Sequence, residues 1–312
     1  MKPINLIPIK PNLNFIGKHK LFLMLSAVLV IFSLGLFMTK SLNYGIDFQG
    51  GILIEIRTPE TGNISQMRND LSGLGLGEVS LQEFGQPTDF LIRVQKQDGG
   101  EGAQQVAVEK VKSALPDNVE YRRTEFVGPK VSEELLFDGV LAVIFAIIGI
   151  LAYIWFRFEW QFGICAIVAL THDVLTTIGI FSLTGLEFNL STVAAILTIA
   201  GYSINDTVVV FDRVRENLRK YKTKPLKELL NESINETLSR TVMTSVTTLL
   251  ALGSLYILGG EVIRGFSFGM IWGVLIGTYS SICVAVPLLV YLSVNRGTAN
   301  SSGGAPVGET AD

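Results

Sequence analysis

Six long apolar runs constrain this chain more than any other feature of its sequence. They hold 17 to 27 residues, and an α-helix needs about 17 to 25 residues to cross a hydrocarbon layer of about 30 Å. A water-soluble α/β domain would show shorter runs, and only 17% of this chain is charged, against roughly 25% in an average soluble protein. The sequence therefore predicts a multi-spanning α-helical membrane protein with six transmembrane helices, at 21–39, 137–156, 162–183, 188–211, 242–258 and 266–292.

The first run raises a separate question, because an apolar run near the N-terminus is also typical of a secretory signal peptide. Residues 1–20 precede this run, which is long for the apolar region of a signal peptide, and no small-residue cleavage pattern accompanies it. We therefore expect an uncleaved first membrane span.

Lysine and arginine gather in two segments, and their position sets the expected orientation in the membrane. Residues 1–20 carry four lysines and the loop predicted at 212–241 carries eight basic residues, whereas the turns "TGLEFN" and "GGEVIRG" carry only Arg264. Basic segments near membrane spans stay in the cytoplasm. We therefore expect a multi-pass membrane protein with both termini in the cytoplasm, an external domain at 40–136, and a disordered tail at 295–312.

The region from residue 40 to residue 136 has the pattern of a small α+β domain inserted between spans. Strand-like alternation occurs in "GGILIEIRT", "EVSLQEFG", "DFLIRVQ" and "VEYRRTEFV", with helix-like patterns in "ISQMRNDLSGLG" and "AQQVAVEKVKSAL". The order βαββαβ predicts a ferredoxin-like domain, an antiparallel sheet with two helices on one face. The region holds 15 acidic and 10 basic residues, so nucleic acid is not an expected partner.

Few residues of the chain offer enzymatic or metal chemistry. Cys165 and Cys283 both lie inside predicted spans, and His19 and His172 are the only histidines. No CxxC, HExxH or Walker pattern occurs. We therefore expect no enzyme activity, no cofactor and no metal site, which leaves charges inside the spans as the candidate functional groups.

An aspartate lies deep in the fourth apolar run, within "GYSINDTVVVFDRVREN" at 201–217. A carboxylate at this depth is costly unless it is paired, neutral or facing a wet cavity. Polar groups also occur in "LTHDVLTT" of the third run and in a helical stripe that begins the fifth. We expect these faces to meet inside the bundle, with a candidate relay of Asp206, Arg240 and Asp173 and a supporting polar face of His172, Tyr202, Ser203, Asn205, Thr244 and Thr247.

Two interpretations of this cluster remain open at the level of sequence. In the first, buried hydrogen bonds hold the helices together and Arg240 only ends the cytoplasmic loop. In the second, the cluster relays protons, because burial favours the neutral acid while a nearby guanidinium favours the carboxylate. A hydroxyl or amide would hold helices together at lower cost than a buried acid, which favours the relay for Asp206.

Glycines recur every four residues along the last span. This spacing exposes a flat strip of backbone against which another helix can pack closely, within the chain or in a partner. The predicted packing strip consists of Gly265, Gly269, Gly273 and Gly277.

Four segments carry long and specific motifs: "GYSINDTVVVFDRVREN", "SRTVMTSVTTLLALG", "GIDFQGG" at 45–51 and "VGPKVSEEL" at 127–135. They closely resemble segments of the SecF family of bacterial protein translocase subunits, and the resemblance covers nearly the whole chain. One departure is Ser132, where the family often has glycine. The resemblance places the family's essential membrane aspartate on Asp206 and its partner arginine on Arg240, and it places Asp173 in the family's "HD" pair with a supporting role.

The resemblance also implies a mode of action and a set of partners. It implies a subunit that works beside SecD, each with six spans of an RND-type fold, and that associates with the SecYEG channel. Such a subunit lies in the bacterial inner membrane with its external domain in the periplasm, and it uses the proton-motive force to help draw a translocating preprotein through the membrane. YajC-like and YidC-like membrane proteins are the further partners that it implies.

Two other classes of function stay open. Half of an RND-type proton-coupled exporter of lipids or small molecules would share the six spans and a buried acid, but its external insertions are far larger. A non-transporting assembly subunit of a membrane complex would need no deep acid.

Overall fold

The computed structural model describes residues 11–59, 64–116, 118–292 and 294, so the tail predicted at 295–312 lies outside the described residues. The helices, in chain order, are α1 (His19–Lys40), α2 (Ile46–Gln49), α3 (Ile64–Ser72), α4 (Glu101–Ala114), α5 (Pro129–Arg157), α6 (Trp160–Thr184), α7 (Leu190–Lys220), α8 (Leu226–Leu258), α9 (Arg264–Ser280) and α10 (Val286–Leu288). The strands are β1 (Asn43–Tyr44), β2 (Gly51–Arg57), β3 (Val79–Phe84), β4 (Gln86–Val94), β5 (Glu120–Val127) and β6 (Glu187–Phe188).

In the described part of the chain, six helical segments are long and apolar enough to cross a membrane, as the apolar runs predicted. Five are α1, α5, α6, α7 and α8, and the sixth span joins α9, a π-helix at Ser281–Ala285, α10 and a 3₁₀ turn at Leu289–Tyr291. About half or more of α6, α7 and the sixth span is buried, whereas α1, α5 and α8 are largely exposed. The bundle therefore has three central and three peripheral spans.

The segment predicted as a basic loop at 212–241 is mostly helical. α7 continues to Lys220 and α8 begins at Leu226, so only residues 221–225 connect the two helices. Hydrophobicity marks where a helix lies in the hydrocarbon layer, but lysine, arginine, glutamate and leucine are also good helix formers in water. The two helices therefore extend past the apolar runs as a basic hairpin, which we call the α7–α8 hairpin (residues 212–240).

The inserted domain is built on a four-stranded antiparallel sheet with strand order β3-β4-β2-β5. Alternate residues of the two central strands, such as the facing pair Ile54 and Ile92, are buried in a core with residues of α3 and α4. The βαββαβ order and this strand order confirm the predicted ferredoxin-like domain. The uncovered face carries ion pairs, including Arg57 with Asp89 at 2.6 Å.

A second sheet of two short strands ties this domain to the bundle, and no sequence pattern predicted it. β1, which follows α1, pairs in parallel with β6, which precedes α7. Arg93 of β4 forms an ion pair with Glu187 of β6. The Asp47 carboxylate accepts a hydrogen bond of 2.9 Å from the backbone N–H of Leu190, the first residue of α7. Because N–H groups at a helix start lack partners in the helix, this contact fixes the domain at the end of the bundle where α7 begins.

The paired glycines of "GIDFQGG" permit the sharp turn between α2 and β2. Gly50 has a φ of 71° and Gly51 a φ of 122°, a region that side chains disfavour. A Cβ at Gly51 would also lie 2.5 Å from the carbonyl oxygen of Val94. Only glycine fits this turn, and the turn brings Asp47 to the start of α7.

The opposite end of the bundle holds the N-terminal segment and the α7–α8 hairpin. Asn231 and Asn235, one turn apart on α8, form hydrogen bonds of 2.9 Å with backbone groups of Leu13 and Phe15. The described N-terminal residues and the hairpin therefore share one end of the bundle, and the α+β domain lies at the other.

Candidate functional site

Asp173 of α6 is fully buried among the central spans. Its Oδ1 lies 2.9 Å from Nδ1 of His172, and its Oδ2 accepts hydrogen bonds from Ser203 of α7 at 2.5 Å and from Ser280 of α9 at 2.7 Å. The carboxylate therefore joins α6, α7 and the sixth span, and its burial is compensated by three polar contacts.

Sequence reasoning missed the serines of the sixth span. Ser280 and Ser281 are fully buried, and the Ser281 hydroxyl shares a hydrogen bond of 2.8 Å with that of Thr207 on α7. Both serines lie where α9 passes into the π-helix, a local widening that is frequent at functional sites. These serines lie inside a long apolar run, where small hydroxyl residues do not stand out. The two consecutive serines in "TYSSIC" were the signal that could have identified them.

Asp206 of α7 lies in a different environment from Asp173. The residue is 3% exposed, and its Oδ2 is buried without a hydrogen-bond partner in the described part of the chain. The charge of Arg240 on α8 acts on this carboxylate, although no hydrogen bond joins Oδ2 to the guanidinium. The hydroxyls of Tyr202 and Thr241, on the same two helices, are also buried and unpartnered among the described residues. The contact between α7 and α8 thus concentrates unsatisfied polar groups.

The polar stripe of α8 does not enter the bundle interior, contrary to our expectation. Arg240, Thr244 and Thr247 lie on the exposed face of this helix, and the two threonine hydroxyls bond to carbonyl groups of α8 itself. The inward face of α8 is formed by other residues, including Ser245, whose hydroxyl lies 2.7 Å from that of Thr278 on α9. The spacing of these polar residues shows that they share one face of α8. It does not show whether that face points into the bundle or away from it.

The structure divides the predicted site residues into three groups. It brings His172, Asp173 and Ser203 into direct contact. It places Asp206 and Arg240 within electrostatic reach of each other, with Tyr202 one turn away on α7. It leaves Asn205, Thr244 and Thr247 on the exposed surface.

The glycine strip of α9 packs within the chain, against a face of α7 that has the same four-residue spacing. A Cβ at Gly273 would overlap a side chain of α7, and one at Gly277 would lie 3.0 Å from a neighbouring Cβ. Gly265 is less crowded, with its nearest contact at 3.8 Å. The facing pairs are Gly269 with Ala195, Gly273 with Ile199, and Gly277 with Ser203.

The chemistry open to this site is that of carboxyl groups. The described residues contain no cluster of three or more His, Cys, Asp or Glu side chains that could hold a metal ion. They offer one buried acid with a full set of hydrogen bonds and a second buried acid that faces a guanidinium without contacting it. The proton affinity of such a carboxyl group depends on its distance from the cation.

Comparisons with known proteins decide the family. The family model described as "Protein export membrane protein SecD/SecF, C-terminal" matches residues 107–295, and that described as "SecD/SecF GG Motif" matches residues 35–58. The chain is 47% identical to the protein translocase subunit SecF of Rickettsia bellii (strain OSU 85-389), over 92% of this chain and 95% of that protein. The chain belongs to the SecF family. A second SecF, from Cereibacter sphaeroides, is 46% identical over 94% of each chain.

Solved structures match the fold of this SecF family member. It is 38% identical to SecDF from Thermus thermophilus, described as a translocon-associated membrane protein, with a TM-score of 0.83 over 92% of this chain. SecDF in a super-membrane-facing form matches with a TM-score of 0.66 over 93% of this chain. The chain spans 39% of the length of each of these SecDF chains. The six spans and the ferredoxin-like domain are therefore the predicted RND-type half, in a multi-pass protein that is a transport component.

Proposed function

We propose that this SecF subunit pairs with SecD and uses the proton-motive force to assist protein export through the SecYEG channel. In the proposed relay, Asp206 takes up and releases a proton, and Arg240 controls the proton affinity of that carboxyl group. The observation that carries the proposal is the buried Oδ2 of Asp206, which has no hydrogen-bond partner among the described residues while the charge of Arg240 acts on it. A charged acid in a membrane span costs about 3 kcal/mol or more and is rare outside functional sites.

Movement of α8 would operate this relay. Approach of the guanidinium favours the ionised acid, and its withdrawal favours the neutral acid, so a change in the α7–α8 distance would release or load a proton. α8 is suited to this role because it is a peripheral span with a largely exposed membrane segment.

Asp173 supports the relay without carrying the proton. Its carboxylate already accepts hydrogen bonds from Ser203 and Ser280 and contacts His172. These contacts hold α7 and the sixth span in register with α6, and they steady the helix on which Asp206 lies.

An exposed polar face supports association with a second membrane subunit. Asn205 of α7 and Arg240 of α8 are exposed, and Thr244 and Thr247 lie beside them on helices of membrane-spanning length. Lipid would leave the amide of Asn205 and the charge of Arg240 unsatisfied, whereas a partner helix could supply hydrogen bonds to both. Because the matching SecDF chains are more than twice as long as this one, we propose that SecD covers this face.

The proposed orientation has the α+β domain outside and both termini in the cytoplasm. The N-terminal segment and the basic α7–α8 hairpin lie together at one end of the bundle, which agrees with the preference of basic segments for the cytoplasm. SecYEG, a translocating preprotein, and YajC-like and YidC-like proteins are proposed as partners on the family resemblance.

The test of the proposed relay is export of a preprotein into inverted membrane vesicles, with ATP constant and the proton gradient imposed or collapsed. Asp206→Asn keeps the size of the side chain but removes its titration, so it should abolish stimulation by the gradient while the subunit still inserts and co-isolates with its partner. Asp206→Glu should retain part of the stimulation. Arg240→Lys should retain little, because a compact ammonium does not reproduce the planar guanidinium.

A matched control for this test is Asp138→Asn, the same change at an exposed position of α5. The control should respond to the gradient like wild type. If Asp206→Asn vesicles also respond like wild type, then Asp206 only holds helices together and the proposed relay is wrong.

A further inference from the structure

Two acids and two arginines face each other across the contact between α7 and α8. On α7, Asp206 and Arg213 are seven residues apart, which places them two turns apart on one face. On α8, Glu236 and Arg240 are four residues apart, at the spacing where an acid and a base on one helix interact. The helices are joined by residues 221–225 and run antiparallel, so each acid faces the arginine of the other helix.

One of these two pairs is closed and the other is open. Arg213 Nε donates a hydrogen bond of 2.6 Å to Glu236 Oε2, and Asn217 of α7 donates one of 2.9 Å to the same oxygen. Oδ2 of Asp206 makes no such bond to Arg240. Counted from the closed pair, Arg240 lies about one turn along α8 and Asp206 about two turns along α7, so the two residues are at different levels of the bundle.

Several other charges of the α7–α8 hairpin have partners of their own. Asp212, next to Arg213, pairs with Arg157 of α5 at 2.8 Å, and Lys224 pairs with Glu232 at 2.5 Å. Arg213 also pairs with Glu216, an exposed neighbour on α7. Glu236 is therefore the acid of this hairpin that is placed to draw on the charge of Arg240.

We propose that Glu236 is a positioning residue of the relay, because it competes with Asp206 for Arg240 and the Arg213–Glu236 ion pair decides the competition. With that pair closed, Arg213 neutralises Glu236, and the charge of Arg240 stabilises the ionised form of Asp206. When the pair opens, Glu236 attracts Arg240 one turn along α8, and Asp206 takes up a proton. The purpose of the device rests on the proposed function, whereas the competition itself rests on the hydrogen bond between Arg213 and Glu236 and on the spacing of the four residues along the two helices.

The rate at which a carbodiimide labels Asp206 tests the competition directly. Dicyclohexylcarbodiimide reacts with protonated carboxyl groups in apolar surroundings, so its rate at a fixed pH reports the protonated fraction of Asp206. The measurement uses the purified full-length subunit with its partner and mass spectrometry of the peptide that contains Asp206, with Asp206→Asn as the blank.

The two halves of the ion pair should have opposite effects on this rate. Arg213→Gln frees the charge of Glu236 to attract Arg240, and labelling should become about twofold faster. Glu236→Gln removes the charge that competes with Asp206 for Arg240, and labelling should become about twofold slower. Glutamine can still form a hydrogen bond at either position, which favours a folded product. A pair that only locked α7 to α8 would loosen in both variants, so a shift of both rates in one direction would overturn the proposal.

Two further variants separate competition from simple locking. The double variant Arg213→Glu, Glu236→Arg restores an ion pair of reversed polarity and puts a second cation one turn from Arg240. Labelling of Asp206 should be slower in this variant than in wild type, as in Glu236→Gln. Recovery of the wild-type rate would show that the ion pair only locks the two helices together, which would contradict the proposal. In an Arg240→Gln background, adding Glu236→Gln should leave the labelling rate unchanged. A persisting effect would show that Glu236 acts without Arg240, which would also overturn the proposal.

This experiment and the export assay can fail separately. If the labelling order holds while Asp206→Asn vesicles respond to the gradient like wild type, the competition stands and the proton relay does not. If Asp206→Asn abolishes the response but the labelling order is not found, the relay stands and Glu236 has no positioning role.

Discussion

Two aspartates in the membrane-spanning helices of this SecF subunit differ in how their oxygen atoms are satisfied. The Asp173 carboxylate accepts hydrogen bonds from the hydroxyl groups of two serines, which lie 30 and 107 positions away in the chain. Oδ2 of Asp206 has no hydrogen-bond partner in the described part of the chain. The sequence could predict both as site residues because buried acids are costly, but it could not predict how each carboxylate is satisfied, since the distant hydroxyls are brought to Asp173 only by tertiary packing.

Removal of the Asp173 carboxylate should destabilise the protein more than removal of the Asp206 carboxylate. In Asp173→Ala, the hydroxyls of Ser203 and Ser280 and the ring of His172 lose their buried acceptor, at a cost of about 2 kcal/mol or more. Asp206→Ala should destabilise the protein less than Asp173→Ala does, because Oδ2 of Asp206 has no hydrogen bond to lose. Thermal denaturation of the purified protein in detergent measures both. Equal destabilisation by the two substitutions would contradict the division between a structural and a functional acid.

At the scale of elements, the sequence predicted which helices and strands exist better than where they end. Apolar runs mark the part of a helix that lies in the hydrocarbon layer, so they located all six spans. They placed the end of α7 near residue 211, although the helix continues through polar residues to Lys220. The two-residue strands β1 and β6 are too short to form a period-two pattern. They depend on pairing between residues 43–44 and 187–188, which no local signal encodes.

The contact between α9 and α7 should be sensitive to side-chain size on one face only. Gly273→Leu would drive a side chain into Ile199, so we expect a large loss of folded protein. Leu275→Ala is the matched control on α9, because Leu275 is 52% exposed and its truncation leaves no cavity. Recovery of monodisperse protein after detergent extraction measures both variants. Equal recovery would show that the glycine strip is not the tightly packed face.

The α+β domain should fold without the bundle and lose stability in acid. A fragment from Gly50 to Val127 retains the strands β2 to β5 and their core with α3 and α4, so it should be soluble and melt cooperatively. Within it, the hydrogen bond and charge of Arg57 hold the pKa of Asp89 below its usual value. That stabilisation is present above about pH 4, the usual pKa of aspartate, and is lost as pH falls through the lowered value.

The melting temperature of this fragment, followed by circular dichroism, checks both expectations. Between pH 5 and pH 3 it should fall more steeply in the native fragment than in Asp89→Asn, which has no carboxyl group to protonate. A non-cooperative melt would mean that the domain needs the bundle or a partner. Parallel acid profiles for the two fragments would show that the ion pair of Arg57 with Asp89 contributes nothing to stability.

At the scale of the whole molecule, the arrangement of spans explains what one sequence could and could not predict. The lengths of the apolar runs predicted the number of spans, and the positions of basic residues predicted an orientation. Both can be counted along the sequence without knowledge of the tertiary structure. Which helix faces are covered is a property of the assembly. The polar stripe of Arg240, Thr244 and Thr247 was expected in the interior, yet it lies on the outside of this chain. A second subunit on that face would make the stripe interior after all, at the scale of the complex.

The proposed orientation makes a prediction for the whole molecule. Asp98 is exposed on the α+β domain, and Lys220 is exposed at the end of α7, at opposite ends of the bundle. Single cysteines at these positions, with the buried Cys165 and Cys283 replaced, should react with a membrane-impermeant thiol reagent from opposite sides. Lys220→Cys should label only in inverted vesicles and Asp98→Cys only in spheroplasts, because basic segments near membrane spans stay in the cytoplasm.

Reversal of both accessibilities would mean that the molecule has the opposite orientation in the membrane, with a proton path directed opposite to export. Labelling of both positions from one side would be incompatible with α7 crossing the membrane, and no gradient could then act across Asp206.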